Sequence, residues 1–431
     1  MKNVLFIVYY FPPMGGSGVQ RPLKFIKYLR EFGWNPIVLC PEPGRYPYFD
    51  ESLQRELEAI SPEVIRIKPK TIFHYGTGSS PRKRVTVSNR IAKAIRRVLR
   101  FFMYPDNKRG WIEPAVERGL EVIQRKNIDL IFSTAPPFSN HVAAATISKK
   151  SGLPLVLDYR DLWLENHFQD DMFRWQKRKM KKMESVCLEQ TAAITALDPS
   201  MLESIRSSYP EIQVKNRSYI IPHGFDPEDL DRKNGDSNFR YKEGKFNILY
   251  SGLFYEQNQP DIFLHALKKA DADGSIDLSD IHLHFQGGLD KRINNLIGEL
   301  GFRESVTDYG YLTHEVAVSN LKQADLLWMI SNFAPNHTQI KSGKLFEYIG
   351  TGKPILGLAH DGEEAHLLEQ YNAGYFGDLK SEKIIISEIA RLYDLWSDGK
   401  LPEGDLDFRF QYDRKKITKD LAQIFDKISP H

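Results

Sequence analysis

Short apolar runs alternate with longer amphipathic runs along almost all of this 431-residue chain, and this alternation constrains the fold most strongly. The apolar runs have the length of buried strands, and the amphipathic runs between them have helical spacing. Strands separated by helices form parallel βα units, with helices on both faces of a sheet. The pattern therefore predicts an α/β fold.

The alternation occurs twice, on either side of a polar stretch at residues 227–244. Strands are predicted at Val4–Tyr10, Pro36–Cys40, Val64–Ile67, Leu130–Ser133, Pro154–Tyr159, Ala193–Ala196 and Ser218–Ile221, and then at Phe246–Tyr250, Ile281–Gln286, Leu326–Ile330 and Ile355–Ala359. We therefore expect two doubly wound, Rossmann-like domains, at 1–235 and 240–405, facing each other across a cleft. A last helix, within 410–431, is expected to pack back on the first domain. Ligands of such sheets bind at the carboxyl ends of the strands.

One segment, residues 342–356, indicates the kind of ligand. Ser342 and Gly343 would begin a helix, whose free N–H groups and dipole favour an anion such as a diphosphate. Lys344 adds a positive charge beside that anion. Glu347 follows one helical turn later on the same face, where its carboxylate can accept hydrogen bonds from a ribose diol. The segment predicts a site for a nucleotide or nucleotide-sugar.

Several ordered motifs resemble those of the GT-B glycosyltransferases, in particular the retaining family 4 type. The opening strand runs into a Gly15-Gly16 loop, Ile221–Asp226 is similar to the Ile-Pro-Asn-Gly-Val-Asp of that family, and Gly352-Lys353-Pro354 is similar to its Gly-Lys-Pro step. Glu347 occupies the position of the second Glu of its Glu-x7-Glu motif. The runs 133–141 and 158–163 resemble a subgroup that builds bacterial surface polysaccharides.

This resemblance implies a retaining transfer of a sugar from a nucleotide-diphosphate-sugar to a glycan or polyprenyl-linked acceptor. The residues that it assigns to the donor diphosphate are Gly15, Gly16, Arg21, Ser342, Gly343 and Lys344, with Glu347 on the ribose and Gln339 near the donor sugar. Asp161, Arg160 and His141 are the candidates for residues acting at the reaction itself.

The chain departs from the family pattern at three places. Gln339 stands where the first Glu of Glu-x7-Glu is expected, and Arg160 precedes Asp161 where many members have His. The segment 251–259 lacks the Arg and Lys that normally hold the leaving diphosphate. Lys341, Lys344 or Arg21 would have to supply that charge.

No cofactor is expected, and no metal is required if these cations suffice. Three Asp-x-Asp strings, at 229/231, 271/273 and 405/407, lie in polar segments and are expected to be solvated loops. Cys40 and Cys187 are the two cysteines, too few for a disulfide scaffold, and they fit a reducing, cytoplasmic compartment. The sequence contains no run of 18 apolar residues, so it predicts no membrane-spanning helix.

The net charge of +3 conceals an asymmetry between the two halves of the chain. Residues 1–235 carry 37 Lys and Arg against 26 Asp and Glu, which gives +11, and the remainder gives −8. Residues 82–103 contain eight cations and no acid, and helical spacing places their apolar residues on one face. This pattern is typical of a helix on the anionic inner face of a membrane, but also of a helix packed on a core. Nucleic acid is not favoured, because no aromatic residues are interleaved with these cations.

Three other classes of function stay open. A nicotinamide-dependent Rossmann enzyme is disfavoured, because Gly16-Ser17-Gly18 has Arg21 where the third Gly of the fingerprint belongs. A catalytically silent GT-B protein that binds a nucleotide would explain the departures from the family pattern. A GT-B sugar epimerase is a further alternative. The sequence leaves the donor base, the sugar, the acceptor and the oligomeric state open.

Overall fold

The structure is a computed structural model that describes residues 1–44, 46–70, 104–164, 173–231, 237–255, 257–331 and 342–429. It divides into two units by the contacts within them. The first consists of Met1–Pro222 together with Ile417–His431, and the second of His223–Lys416.

The first unit contains a seven-stranded, all-parallel sheet. Its strands are β1 (Lys2–Ile7), β2 (Trp34–Pro41), β3 (Glu63–Ile67), β4 (Leu130–Ala135), β5 (Leu155–Tyr159), β6 (Ala193–Ala196) and β7 (Ser218–Ile220). They lie in the order β3-β2-β1-β4-β5-β6-β7. The order reverses beside β1, so the carboxyl ends of β1 and β4 form a switch point where ligands of such sheets bind.

Helices cover both faces of this first sheet. They are α1 (Ser17–Leu29), α2 (Glu51–Ile60), α3 (Ile112–Arg125), α4 (Ser139–Ser151), α5 (Arg174–Gln190) and α6 (Pro199–Ser208). The strands bury apolar side chains on both faces, in two separate clusters. Central strands of a parallel sheet are covered on both sides, which explains their nearly continuous apolar sequences.

The second unit repeats this plan with six parallel strands. They are β8 (Phe246–Ser251), β9 (Ile281–Gln286), β10 (Val306–Asp308), β11 (Leu326–Ser331), β12 (Ile355–Ala359) and β13 (Gly374–Asp378), in the order β10-β9-β8-β11-β12-β13. Its helices are α7 (Pro227–Asp231), α8 (Asp261–Ala272), α9 (Lys291–Glu299), α10 (His314–Leu321), α11 (Gly343–Thr351), α12 (Glu363–Gln370), α13 (Glu382–Ser397) and α14 (Leu406–Phe410). The predicted pair of doubly wound α/β sheets is confirmed.

The last helix, α15 (Arg414–Ile428), belongs from Ile417 onward to the first unit. Leu421 and Phe425 are fully buried in one of the two apolar clusters of that unit. The Phe425 ring meets the Trp34 ring edge-on at 5.3 Å, and Trp34 Nε1 donates a hydrogen bond to Asp426. Helix α15 thus supplies the last side chains of an apolar core whose other residues come mainly from the first unit's sheet and helices.

None of the helices in the described part of the chain is long and apolar enough to cross a membrane.

Candidate functional site

The glycine loop after β1 presents one of its two predicted glycines to the surface. Gly16 is exposed, has φ of 106°, and immediately precedes α1. A Cβ added at Gly16 would have no described atom within 4 Å, so the space in front of it is open. Gly15 is buried, and its N–H donates to the Tyr48 carbonyl at 3.0 Å. Gly16 is therefore the glycine of this loop that a ligand could approach.

Arg21 is placed inside the first unit, with 1% of its surface exposed. Its guanidinium forms a bidentate pair with Asp158 at 2.7 and 3.0 Å and donates to the carbonyls of Ile221 and Pro222. Burial by itself raises the pKa of Asp158, but the Arg21 charge and hydrogen bonds from Arg21, Thr134 and Thr195 hold it below its usual value. The expectation that Arg21 contacts a diphosphate is therefore revised: its donors are directed to Asp158 and the chain.

Arg160, at the end of β5, is also largely buried and makes three hydrogen bonds to backbone carbonyls. It donates to Gly18 at 3.0 Å, to Ala135 at 3.4 Å, and to Pro136. These bonds connect the glycine loop to the end of β4, so Arg160 fixes the backbone conformation at the carboxyl ends of the strands. Asp161, the next residue, is half-buried and is the more accessible of the pair.

His141 lies in the first turn of α4 and is fully buried. Its Nδ1 is 2.9 Å from Ser133 Oγ, and its ring is 4.9 Å from that of Tyr159. Burial lowers the pKa of His141 to about 3, with Asp158 opposing and Arg160 reinforcing the shift. The imidazole is therefore neutral at physiological pH and lies within the core of the first unit.

Buried histidines should make the protein less stable in acid. Burial lowers the pKa of His141 and His284 to about 3 and that of His282 to about 4. An unfolded histidine takes up a proton near pH 6.5, whereas these three do not, so their stabilisation is present above pH 6.5 and lost as the pH falls towards 4. We expect each of the three histidines to lower the free energy of unfolding by about 2 kcal/mol when the pH falls from 7.5 to 5.

Urea unfolding at pH 7.5, 6 and 5 measures this loss. Replacing the exposed His366 with Gln is the matched control for the loss of an imidazole outside the core. Equal unfolding midpoints at pH 7.5 and 5 would show that the three imidazoles do not resist protonation.

In the second unit, glycines line the carboxyl ends of the central strands. Gly252, directly after β8, has φ of 122°, and Gly287, directly after β9, has φ of 130°. A Cβ at Gly287 would lie 2.4 Å from the Gly252 carbonyl oxygen, and one at Gly252 would lie 2.2 Å from Lys344 Nζ. Glycine is needed at both positions, because the chain conformation and the close approach of neighbours exclude a side chain.

The Lys344 ammonium therefore lies directly over the end of β8. It donates to the Tyr250 hydroxyl at 3.2 Å and lies 4.8 Å from the centre of the Tyr250 ring. Burial lowers the pKa of Lys344 to about 8, although the charges of Glu347 and Glu364 oppose the shift. A positive charge from α11 thus occupies the strand end where segment 251–259 supplies no Lys or Arg.

The start of α11 offers fewer free donors than its sequence predicts. The Ser342 N–H donates to the carboxylate of the buried Glu364 at 2.9 Å, so Ser342 is engaged within the unit. A Cβ at Gly343 would meet no described atom within 4 Å. Of the described atoms, none covers Gly343, so the side of this helix start beside Lys344 is where we expect an anion to bind.

Glu347 lies one turn along α11 and is 20% exposed. Its Oε1 is 3.0 Å from His314 Nε2, at the start of α10, and His314 Nδ1 is 3.8 Å from Asp229 Oδ2. Sequence reasoning missed His314 and Asp229, which lie 33 and 118 residues before Glu347. No spacing rule connects them, because only the fold brings α7 and α10 to α11.

Three predicted features fall outside the described residues, namely Gln339, Lys341 and the basic segment 82–103. The three Asp-x-Asp strings are mostly solvated, since Asp231, Asp273, Asp405 and Asp407 are exposed, but the expectation that the strings are loops is wrong. Asp229 and Asp271 lie within helices α7 and α8, and Asp405 caps the N-terminus of α14 by accepting the Phe408 N–H. Aspartate favours helix starts for this reason, and a polar composition alone does not distinguish a cap from a loop.

Residues 19–229 match the model of Glycosyltransferase Family 4. No curated protein sequence matches the chain. Solved structures similar to this chain include Alr3699/HepE from Anabaena in complex with UDP-glucose, with 13% identity, a TM-score of 0.64, and coverage of 99% of this chain and 100% of that one. At such low identity the likeness shows the fold alone.

Two other solved structures are similar over the same share of this chain. Sucrose-phosphate synthase from Thermosynechococcus elongatus is 14% identical, with a TM-score of 0.64 and 99% of both chains covered. The apo form of WaaB, a lipopolysaccharide outer core galactosyltransferase, is 12% identical, with a TM-score of 0.56 and 99% of both chains covered. The architecture is thus that of the GT-B glycosyltransferases over the whole chain length.

Proposed function

We propose that this chain, a glycosyltransferase with the GT-B fold, moves a sugar with retention of configuration from a nucleotide-diphosphate-sugar to a glycan or lipid-linked acceptor of a cell-surface polysaccharide. The observation that carries the proposal is the position of Lys344 over the end of β8, with Glu347 one turn along the same helix. This arrangement offers a cation for a diphosphate beside an acceptor for ribose hydroxyls. It also restores the charge that segment 251–259 lacks.

The reaction breaks the bond between the sugar C1 and the diphosphate and forms a bond from C1 to the oxygen of an acceptor hydroxyl, whose proton passes to the departing diphosphate or to solvent. The departing diphosphate gains negative charge, and stabilisation of that charge is the largest contribution that such a site makes to catalysis. Lys344 and the open helix start at Gly343 are the groups that we assign to it. Within the first unit, Gly16 is exposed and stays our candidate for a phosphate contact, and the half-buried Asp161 stays our candidate for the reacting sugar or acceptor.

Replacing Glu347 with Ala should weaken nucleotide binding by about 10- to 100-fold, because a hydrogen bond to a charged group contributes about 1.5–3 kcal/mol. Calorimetry with UDP, GDP and NAD measures the affinities, and UDP is the first to test because HepE was solved with UDP-glucose. Glu299→Ala, at the exposed far end of α9, is the matched control.

Unchanged affinity of the Glu347→Ala variant would remove this residue from the site. NAD binding without UDP or GDP binding would favour a nicotinamide-dependent enzyme. Nucleotide binding without consumption of any nucleotide-sugar would favour the catalytically silent alternative.

The exposed cations of helix α5 support the proposal that the acceptor lies at a membrane. Six cations within Arg174–Lys182 are all exposed, and residues 174–183 contain no acid. Phe173 and Trp175 are 45% and 40% exposed, and the Trp175 ring meets that of Tyr104 edge-on at 6.4 Å. Exposed cations with a Trp at one end are typical of helices that lie on anionic lipid. We propose that α5, together with segment 82–103, docks the protein on the cytoplasmic face of a membrane.

Charge reversal on α5 should abolish this docking. Each basic residue near an anionic surface contributes about 1 kcal/mol, so Lys177→Glu, Lys181→Glu and Lys182→Glu together should lower the partition coefficient by at least about 100-fold. Co-sedimentation with phosphatidylglycerol vesicles measures it, and phosphatidylcholine vesicles give the uncharged reference. Lys149→Glu with Lys150→Glu, at the exposed end of α4, is the control. Equal binding of both variants would exclude α5 as the docking surface.

A further inference from the structure

The imidazole of His314 lies between two carboxylates that come from different helices. Its Nε2 is 3.0 Å from Glu347 Oε1, and its Nδ1 is 3.8 Å from Asp229 Oδ2. Because an ionised carboxylate can only accept, Nε2 carries the proton and donates it to Glu347. The chain of contacts therefore runs from α7 through α10 to α11.

These three side chains are largely withdrawn from water. The exposed fractions are 8% for Asp229, 10% for His314 and 20% for Glu347. A charge-assisted hydrogen bond in such surroundings is stronger than one at the surface, and it fixes the orientation of both partners. Glu347, at the end of the chain of contacts, keeps the largest exposed fraction.

A competing partner for Glu347 lies on its own helix. Lys344 is three residues earlier, a separation at which opposite charges on a helix commonly pair. Lys344 instead directs its ammonium to the Tyr250 hydroxyl at 3.2 Å, while Glu347 receives the His314 N–H. The two charges that the proposed function needs for different parts of one ligand are thus held by different partners.

We infer that His314, supported by Asp229, is a positioning residue that holds Glu347 away from Lys344 and orients its carboxylate for the 2′,3′-diol of a ribonucleotide. The inference rests on the proposed function, in which Glu347 binds the ribose. It assigns to this chain of contacts the preference for ribose over deoxyribose. Loss of His314 would allow Glu347 to pair with Lys344, which weakens ribose binding.

Affinities for UDP and for its 2′-deoxy and 3′-deoxy forms test the inference in the wild type, His314→Leu and His314→Gln. The wild type should prefer UDP by at least about 10-fold, as expected when a charged acceptor loses its hydroxyl partner. In His314→Leu the affinity for UDP should fall more than the affinities for the deoxy forms, so that the preference for UDP shrinks to less than about 2-fold. Any loss shared by all three ligands reports the pairing of Glu347 with Lys344. His314→Gln, which keeps an N–H donor, should recover most of the preference.

Two further variants distinguish positioning from a purely structural role. Glu347→Ala combined with His314→Leu should be no worse than Glu347→Ala alone, because both changes remove the same interaction. Asp229→Asn, which leaves the imidazole in place, should reduce the ribose preference partially and serves if His314→Leu fails to fold. A folded His314→Leu or Asp229→Asn variant with the full wild-type preference would overturn the inference. If the wild type bound UDP but did not discriminate the deoxy forms, the inference would fail while a nucleotide site remained; if it bound no nucleotide, the proposed function itself would fail.

Discussion

Replacing Lys344 with Met should lower the rate of donor consumption by about 10²- to 10³-fold, the loss seen when one preorganised donor to a developing negative charge is removed. Met keeps the length and apolar stem of the side chain but not its charge. Lys344 lies over Gly252 at the end of β8, where the described segment 251–255 supplies no other cation. Turnover to free nucleoside diphosphate, with water as acceptor, is the measurement. Lys400→Met is the control, since Lys400 is 69% exposed and follows the far end of α13.

The pH profile gives this prediction a second readout. Because burial lowers the pKa of Lys344 to about 8, the free enzyme loses this charge as the pH rises through 8. We therefore expect kcat/KM to fall above pH 8 in the wild type, and this limb to be missing in Lys344→Met.

Gly252→Ala should reproduce the loss of activity of Lys344→Met, because the added Cβ would occupy the position of the ammonium. A fully active Lys344→Met enzyme would mean that the leaving group is stabilised elsewhere.

Replacing Asp158 with Ala should destabilise the first unit by about 3–5 kcal/mol, because it leaves the Arg21 guanidinium buried without its counter-charge. The carboxylate also accepts hydrogen bonds from Thr134 and Thr195 at 2.7 Å each, so three elements lose a partner at once. At about 2–4 °C per kcal/mol for a unit of this size, the melting temperature should fall by about 10 °C. Thermal unfolding followed by circular dichroism measures the change.

Two comparisons separate the charge from the packing. Asp158→Leu with Arg21→Met should recover much of the loss, since no charge is then left buried. Glu63→Ala removes an exposed partner of Lys126 and should cost less than about 1 kcal/mol. If Asp158→Ala were as mild as Glu63→Ala, the Arg21 guanidinium would have found water or another acceptor.

The sequence pattern predicts both sheets because their strands are apolar on two faces, but it misses elements whose signal is weak. Strand β13 reads Gly-Tyr-Phe-Gly-Asp, and glycine is rare in strands. Both glycines are required by packing: a Cβ at Gly374 would lie 2.1 Å from the Leu368 carbonyl oxygen, and one at Gly377 would lie 2.6 Å from the Leu358 side chain. Only the folded neighbours reveal that reason.

Helix α2 is a different kind of omission, because its signal is present in the sequence. Asp50 accepts the N–H groups of Ser52 and Leu53, as an N-cap should, and Leu53 and Leu57 lie one turn apart and are buried. Helix α10, in contrast, contains two valines, a serine and an asparagine, all of modest helix propensity, so its sequence predicts little.

Within the candidate site, local order could be predicted and distant contacts could not. Ser342, Gly343, Lys344 and Glu347 lie within one and a half helical turns, so the helix start and the carboxylate follow from spacing. The Ser342 N–H donates to Glu364, which is 22 positions away in the sequence, and Arg21 pairs with Asp158, which is 137 positions away. Such pairings decide which predicted ligand donors are free.

The return of the chain's last residues to the first unit has a practical consequence for anyone who wishes to study that half in isolation. A gene fragment that stops at residue 222 would encode a sheet whose Trp34 side lacks the aromatic cover supplied by Phe425. Expression trials should instead splice residues 417–429 behind residue 222 through a flexible spacer. The other half, by contrast, is one uninterrupted stretch of polypeptide and can be excised with two simple cuts.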